Sequence, residues 1–238
     1  MPEPLPRLLQ TLENAARLAG RPSPRLLAVS KFQDATAVAE LAAAWRHARP
    51  GEVPAFGENY VQEAQAKQTA LAGLGVEGLE WHLIGHLQSN KAALAARLFD
   101  WVQTVDRTKL VRALAKARGD AHDPARPLNV LLQVNIDAEA GKHGCRPGDV
   151  AALAAEVAAR PELRLRGLMA IPAPFPELAR RRDSFRRMRE LFERLRTAHP
   201  GCDTLSMGMS GDAEMAIAEG ATMVRIGTAL FGERRSPR

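Results

Sequence analysis

Short runs of hydrophobic residues alternate along the chain with longer amphipathic segments that are rich in alanine. Most of the short runs are continuously hydrophobic, a pattern typical of parallel strands that are buried on both faces. We predict a strand at each of these runs: Leu26–Lys31, Val53–Gly57, Trp81–Gly85, Trp101–Val105, Asn129–Asn135, Leu165–Ile171, Thr204–Met207 and Met223–Gly227.

The amphipathic segments predict helices between the strands. They cover Ala35–His47, Asn59–Ala72, Ser89–Phe99, Arg107–Arg118, Pro147–Ala159, Glu177–Ala198 and Asp212–Glu219, and a further helix, Leu5–Ala19, precedes the first strand. Eight strands that alternate with helices indicate an α/β fold, a single (β/α)8 TIM barrel with an extra N-terminal helix. An open doubly wound sheet fits less well, because no glycine-rich turn follows the first strand.

The chain length of 238 residues fits one barrel domain. We expect that domain to span residues 1–238, with a helix and linker at 1–24 and a basic tail at 233–238. No hydrophobic run has the length of a membrane helix, and the N-terminus lacks the pattern of a secretory signal. The two cysteines do not form a disulfide framework. A cytoplasmic location with no membrane contact is therefore predicted.

The formal net charge of +6 is concentrated in two segments. Residues 177–197 hold eight arginines and four acids, and residues 233–238 hold three arginines and one acid. A nucleic-acid interface needs a reading motif or stacking aromatic residues beside its basic surface, and aromatic residues make up only 5% of this chain. The basic segments are thus interpreted as a solvated helix face and a tail, with no nucleic-acid partner.

Lys31 is distinctive among the six lysines, because it alone closes a predicted strand. The carboxyl ends of barrel strands carry the functional residues of this fold. Val29 and Lys31 share a strand face, so the amine is expected to point into the barrel mouth. Partial burial lowers the pKa of a lysine, and a neutral amine forms a Schiff base with a carbonyl compound. The alternative is a lysine that extends from the strand end to solvent.

Two glycine- and serine-containing loops follow the last two predicted strands. They contribute Ser206, Gly208, Ser210 and Gly211 from one loop, and Gly227 and Thr228 from the other. Loops in these positions are the usual phosphate site of a barrel, because glycine allows backbone N–H groups to approach the anion. The alternative is local: Ser210 caps a helix, and Gly227 eases packing.

Arg225 lies within the last predicted strand, and a permanently charged side chain there must be paired or directed at a ligand. His82 and His86 share a face of strand 3, and His86 could reach the mouth. Neither histidine has a cysteine, an aspartate or a second histidine at ligand spacing, so no metal site is predicted. A lysine, a phosphate site and a buried arginine at one mouth together suggest pyridoxal 5′-phosphate.

The chain resembles the pyridoxal phosphate homeostasis protein family, whose proteins are similar to the N-terminal domain of alanine racemase. The matching stretches are Ala28–Lys31, Phe56–Tyr60, Trp81–Gly85, Leu87–Lys91, Gly167–Met169, Leu205–Asp212 and Val224–Thr228. The resemblance implies a fold-type III barrel with the cofactor held as an imine on Lys31.

The same resemblance implies a set of cofactor-binding residues. The phosphate would lie around Ser206, Ser210, Gly227 and Thr228, and the pyridine nitrogen near Arg225. Within the matching stretches, Asn59, His82 and Met207 are also expected to contact the cofactor.

The resemblance implies a carrier that maintains intracellular pyridoxal phosphate, with little or no catalysis and no catalytic residue. We expect a monomer that transfers the cofactor to dependent apoenzymes. The alternatives are an amino-acid racemase and, less compatible with the motifs, an aldolase that uses Lys31 directly. In alanine racemases a tyrosine from a C-terminal domain is the second base. The only tyrosine here is Tyr60, and the chain ends soon after strand 8, so this base is expected to be missing.

Overall fold

The computed structural model describes residues 4–120 and 126–232, and the predicted basic tail at 233–238 lies outside them. The helices are α1 Pro4–Leu18, α2 Ala35–Ala48, α3 Val61–Gly73, α4 Ala92–Leu98, α5 Thr108–Asp120, α6 Val150–Ala158, α7 Leu178–Ala198, α8 Ala213–Ala218 and α9 Thr228–Phe231. The strands are β1 Arg25–Val29, β2 Ala55–Glu58, β3 Glu80–Leu83, β4 Trp101–Val105, β5 Leu128–Val134, β6 Leu163–Ala170, β7 Thr204–Met209 and β8 Met223–Ile226. Short 3-10 turns at Ser89–Lys91 and Pro147–Asp149 precede α4 and α6.

The strands form a closed parallel barrel in the order of the sequence, and β8 pairs with β1. The predicted (β/α)8 TIM barrel is confirmed, and α1 is the extra N-terminal helix. The register aligns Leu27 of β1 with Arg225 of β8 and Gly57 of β2 with His82 of β3. These pairings place the carboxyl ends of all strands at one rim, where barrel sites form.

Two predicted strand boundaries are wrong in a way that concerns the site. β1 ends at Val29 rather than at Lys31, because Phe32 adopts a left-handed backbone with φ of 64° and the chain turns away from the barrel. β2 begins at Ala55 rather than at Val53, and the residue before it is Pro54, which has no N–H group to donate. Lys31 thus lies in the turn that follows β1.

The barrel interior combines apolar and polar side chains. One buried apolar group consists of Leu27, Ala55 and Met223, and a second consists of Trp101, Leu131 and Met169. The main hydrophobic core lies between the strands and the surrounding helices. Polar residues on β3, β4, β7 and β8 occupy the rest of the interior, and they lead towards the rim.

The arginine-rich face of α7 is largely paired with acids of the protein. Arg186 pairs with Asp183 and Glu190 of its own helix, and Arg189 pairs with Glu219. This pairing favours the interpretation of α7 as a solvated helix face, several of whose arginines pair with neighbouring acids, rather than a nucleic-acid interface. None of the described helices has both the length and the hydrophobicity to cross a membrane.

Candidate functional site

Two side chains of α3 form hydrogen bonds with the residues on either side of Lys31. Lys67 donates a hydrogen bond to the carbonyl oxygen of Ser30 at 2.7 Å, and Glu63 accepts one from the backbone N–H of Phe32. A left-handed non-glycine residue costs about 1–3 kcal/mol and persists only where its surroundings impose it. Residues 30–32, hereafter the lysine turn, therefore have a conformation that contacts with α3 enforce.

A buried ion pair supports the lysine turn. Lys67, only 6% exposed, places its Nζ atom 2.5 Å from Oε1 of the fully buried Glu58. The Ser30 hydroxyl donates to the same oxygen at 2.6 Å. Burial raises the pKa of Glu58, although Lys67 and Ser30 oppose the shift. The second oxygen, Oε2, is buried and has no hydrogen-bond partner among the described residues.

A second polar arrangement, hereafter the interior chain, crosses the barrel from its amino end to its rim. It links five buried or half-buried side chains in the order Glu80, His82, Gln103, Ser206 and Arg225. Successive polar atoms are 2.7 to 2.8 Å apart. Trp101 stacks on the His82 ring with centroids 5.1 Å apart, which fixes the imidazole plane.

Donation along the interior chain runs in one direction. Arg225 is a donor only, so the Ser206 oxygen accepts from it and the Ser206 proton goes to the Gln103 carbonyl oxygen. The Gln103 amide then donates to Nδ1 of His82, and Nε2–H donates to Glu80. Burial lowers the pKa of His82, which keeps the ring neutral and agrees with this tautomer.

The acidic end of the interior chain is ionised. Burial alone would raise the pKa of Glu80, but hydrogen bonds from the neutral His82 ring and from Arg25, together with the charge of Arg25, outweigh it and hold the pKa below its usual range. Arg25 contacts Glu80 at 2.7 Å at the amino end of the barrel. The interior chain thus joins the carboxylate of Glu80 at one end to the guanidinium of Arg225 at the other.

Arg225 is the rim end of the interior chain and is 4% exposed. Its two terminal nitrogens donate to Ser206 Oγ at 2.8 Å and to the Ala170 carbonyl oxygen at 2.9 Å. No carboxylate of the described residues forms an ion pair with it. Burial lowers its pKa to about 10, so the guanidinium remains charged at neutral pH. A fixed cation with neutral partners can receive an acceptor group of a ligand.

The loops after β7 and β8 border the same cavity of about 730 Å³. Ser210, Gly211 and Asp212 line it from one loop, and Ile226 and Ala229 line it from the β8 side. Its remaining lining comes from α1, α7 and α8, so the cavity lies beside the rim and does not include Lys31 or Arg225. The two predicted phosphate loops are therefore neighbours in space.

Backbone geometry explains why two positions of the matching stretches, one in β7 and one after β3, are glycine. Gly208 has a φ of 92°, and a Cβ atom there would lie 2.5 Å from Cβ of Ala216. At Gly85 a Cβ atom would lie 2.1 Å from the carbonyl oxygen of Asn59. Gly85 therefore permits the end of β3 to pack against the residue that follows β2.

The structure places the predicted site residues in three settings. Lys31, Asn59, Ser210, Gly227 and Thr228 lie at the rim and are partly or fully exposed. Ser206, His82 and Arg225 belong to the interior chain, and Met207 is fully buried. Sequence reasoning missed Glu58, Lys67 and Gln103. For Lys67 the sequence did hold a signal, namely its position one helical turn after Glu63. A lysine at that position reaches β2 only if α3 packs against the barrel.

Comparisons with known proteins place the chain in one family. The family described as "Alanine racemase, N-terminal domain" matches residues 5–235. Pyridoxal phosphate homeostasis proteins of Escherichia coli K12 and Pseudomonas aeruginosa PAO1 are 49% and 50% identical to the chain. The alignments cover 97% and 98% of this chain and 95% of each relative. The chain belongs to the pyridoxal phosphate homeostasis protein family.

Solved structures give the same relationship. PipY of Synechococcus elongatus without pyridoxal phosphate superposes with a TM-score of 0.79 at 39% identity, covering 92% of this chain and 99% of PipY. PipY with pyridoxal phosphate bound gives a TM-score of 0.72 at 38% identity over the same shares. Alanine racemase of Clostridium difficile is only 14% identical with a TM-score of 0.67, which shows a shared fold over 96% of this chain and 57% of the racemase.

Proposed function

We propose that this family member binds pyridoxal 5′-phosphate covalently through Lys31 and carries it for cofactor homeostasis. One observation carries the proposal: Lys31 lies in a turn that contacts with α3 hold in place, at the same rim as Arg225. Arg225 is buried and forms no ion pair with a carboxylate of the described residues. Membership of a family whose relatives are named for pyridoxal phosphate homeostasis supports it. The bound form of PipY supports the same cofactor.

The residues present fit this cofactor by the chemistry of their donors. Bound pyridoxal phosphate supplies an amine-reactive aldehyde and an electron-withdrawing ring. Lys31 would provide the amine, Arg225 a permanent donor for the ring nitrogen, and the loops at Ser210 and Gly227 hydroxyl and backbone donors for the phosphate.

The structure supports a division of roles among the residues suggested by the family pattern. The Ser206 proton is committed to Gln103, and both ring nitrogens of His82 are bonded within the interior chain. We therefore assign Ser206 and His82 to orienting Arg225. Ser210, Gly227 and Thr228 remain the proposed phosphate residues, with Asn59 beside the lysine turn.

The phosphate assignment predicts that pyridoxal without its phosphate binds far more weakly than pyridoxal phosphate. A phosphate that accepts several charge-assisted hydrogen bonds, each about 1.5–3 kcal/mol, contributes at least about 100-fold in affinity. Equilibrium titrations of the cofactor-free protein, followed by absorbance, measure both affinities. Equal affinities for the two aldehydes would contradict the assignment of the phosphate to these loops.

The charge beside the cofactor ring supports carrier function over catalysis, since carbanion chemistry there should be weak unless a well-placed base compensates. A carboxylate at the ring nitrogen would stabilise its proton and make the ring a strong electron sink. The fixed charge of Arg225 disfavours that proton. The only tyrosine of the sequence, Tyr60, lies beside the lysine turn, with its ring 6.0 Å from that of Phe32. This position beside the lysine supports the expectation that Tyr60 does not serve as a second base on the opposite side of a substrate.

Two assays test the carrier proposal directly. The loaded protein is expected to reactivate a cofactor-free, pyridoxal-phosphate-dependent enzyme, with Lys31→Ala protein as the matched control. Alanine racemisation by the same preparation is expected to fall far below the rates of ordinary enzymes, about 1–10³ per second. Racemisation within that range, without reactivation of the acceptor enzyme, would favour the racemase alternative.

A further inference from the structure

Two histidines and an aspartate from three separate loops meet at the barrel rim. His86 follows β3, Asp106 directly follows β4, and His143 lies in the long connection between β5 and α6. One ligand atom from each residue lies within 4.8 Å of the others. They are 20 and 37 residues apart along the chain, so a search for close ligand spacing in the sequence does not detect the cluster.

The connection that carries His143 is fixed to the barrel by backbone hydrogen bonds. Cys145 donates to the Gln133 carbonyl oxygen at 2.9 Å, and its own carbonyl oxygen accepts from Asn135 at 2.9 Å. This short pairing brings the connection back to the end of β5. The rings of His86 and His143 then lie parallel, with centroids 3.6 Å apart and an interplanar angle of 11°.

The aspartate of the cluster is held in place by neighbours that do not belong to the cluster. Arg107 donates to Oδ1 of Asp106 at 2.5 Å and to the Leu87 carbonyl oxygen at 2.8 Å. The backbone N–H of Gly144 approaches Oδ2 at 3.4 Å. Such outer contacts orient a ligating carboxylate, and the positive charge of Arg107 moderates its affinity for cations.

We propose that His86, Asp106 and His143 form a binding site for a divalent transition metal such as Zn²⁺. Two imidazoles and one carboxylate are a ligand set that Zn²⁺ accepts, with water in the remaining position. Hard cations such as Mg²⁺ prefer oxygen ligands, so they are expected to bind poorly here. Rotation of the two exposed rings about their side-chain torsions turns their nitrogens towards a shared ion.

The proposed metal would join the loops after β3, β4 and β5. In a closed barrel these strands lie across the rim from β7 and β8, which carry the proposed phosphate loops. The metal site is therefore separate from the proposed phosphate loops, and it would hold the connection between β5 and α6 against the rim. Its test does not depend on whether the protein carries pyridoxal phosphate.

The test is a calorimetric titration of untagged, chelator-treated protein with Zn²⁺, together with the visible spectrum of the Co²⁺ complex. We expect one ion to bind per chain. The visible spectrum of the Co²⁺ complex should be that of an ion with a low coordination number. His86→Ala and His143→Ala should each weaken Zn²⁺ binding by at least about 100-fold, since even outer-contact changes cost 10–100-fold. His47→Ala, at an exposed position on α2, is the control and should bind normally.

Thermal unfolding gives a second readout that shows whether the variants fold. Zn²⁺ should raise the Tm of the natural chain and of His47→Ala, but not that of the double variant His86→Ala/His143→Ala. Because both histidines are exposed, the variants should have the Tm of the metal-free natural chain. Tight binding of one Zn²⁺ by the double variant, or no binding by the natural chain, would overturn the proposal.

Discussion

Replacing Lys31 with alanine is expected to abolish covalent retention of pyridoxal phosphate. The natural protein should be yellow, and borohydride reduction should fix the cofactor to a peptide that contains Lys31. The Lys31→Ala protein should lose the absorbance band and give no reduced adduct above background. The physical reason is that covalent attachment needs an amine at the cofactor aldehyde, and alanine supplies none. Absorbance spectroscopy and peptide mass mapping measure both effects.

Lys109→Ala is the matched control for this experiment, because Lys109 is an exposed lysine on α5. Its spectrum and adduct should equal those of the natural chain. Both proteins should unfold at similar denaturant concentrations, which separates loss of the amine from loss of the fold. A reduced adduct that remains on another lysine in Lys31→Ala at the natural yield would contradict the assignment.

The barrel itself could be predicted from the sequence, because continuous hydrophobic runs have one simple explanation in a parallel sheet. Lys31 could be selected because it follows such a run. Its local geometry could not be predicted, because the left-handed backbone at Phe32 depends on Glu63 of α3. A contact between a loop and a helix that lies 31 residues away leaves no periodic pattern in the sequence.

Polar networks within the barrel were equally hard to predict. Gln103 is one of two polar residues in the largely apolar run of β4, yet it joins Ser206 to His82 across the interior. Strand parity places such residues inside the barrel but does not say which of them meet. That depends on the stagger between β3, β4 and β7, which closure of the barrel fixes. The hydrogen-bond partners of Ser206 and His82 could therefore not be predicted from the sequence alone.

The buried pair of Glu58 and Lys67 connects stability with the lysine turn. Taking both charges out of water is unfavourable, and the raised pKa of Glu58 reflects that burial. The pair is retained beside Ser30, whose carbonyl oxygen Lys67 binds. We infer that it fixes the backbone from which Lys31 extends. Removing one partner is much more costly than removing both, because it leaves one buried charge without its counterion.

Lys67→Met is accordingly expected to lower the free energy of unfolding by about 3–5 kcal/mol. The control is Lys116→Met on the exposed face of α5, which should change this free energy little. Burial raises the pKa of Glu58 and Lys67 opposes that rise, so in Lys67→Met the folded state binds the Glu58 proton more tightly still, relative to the unfolded state. The deficit should therefore be largest at neutral pH and shrink as the pH falls towards the unfolded glutamate pKa of about 4.3. Glu58→Gln in the Lys67→Met background should recover part of it. Urea unfolding between pH 5 and 8 measures all three effects, and a deficit that grows on acidification would contradict the buried-charge explanation.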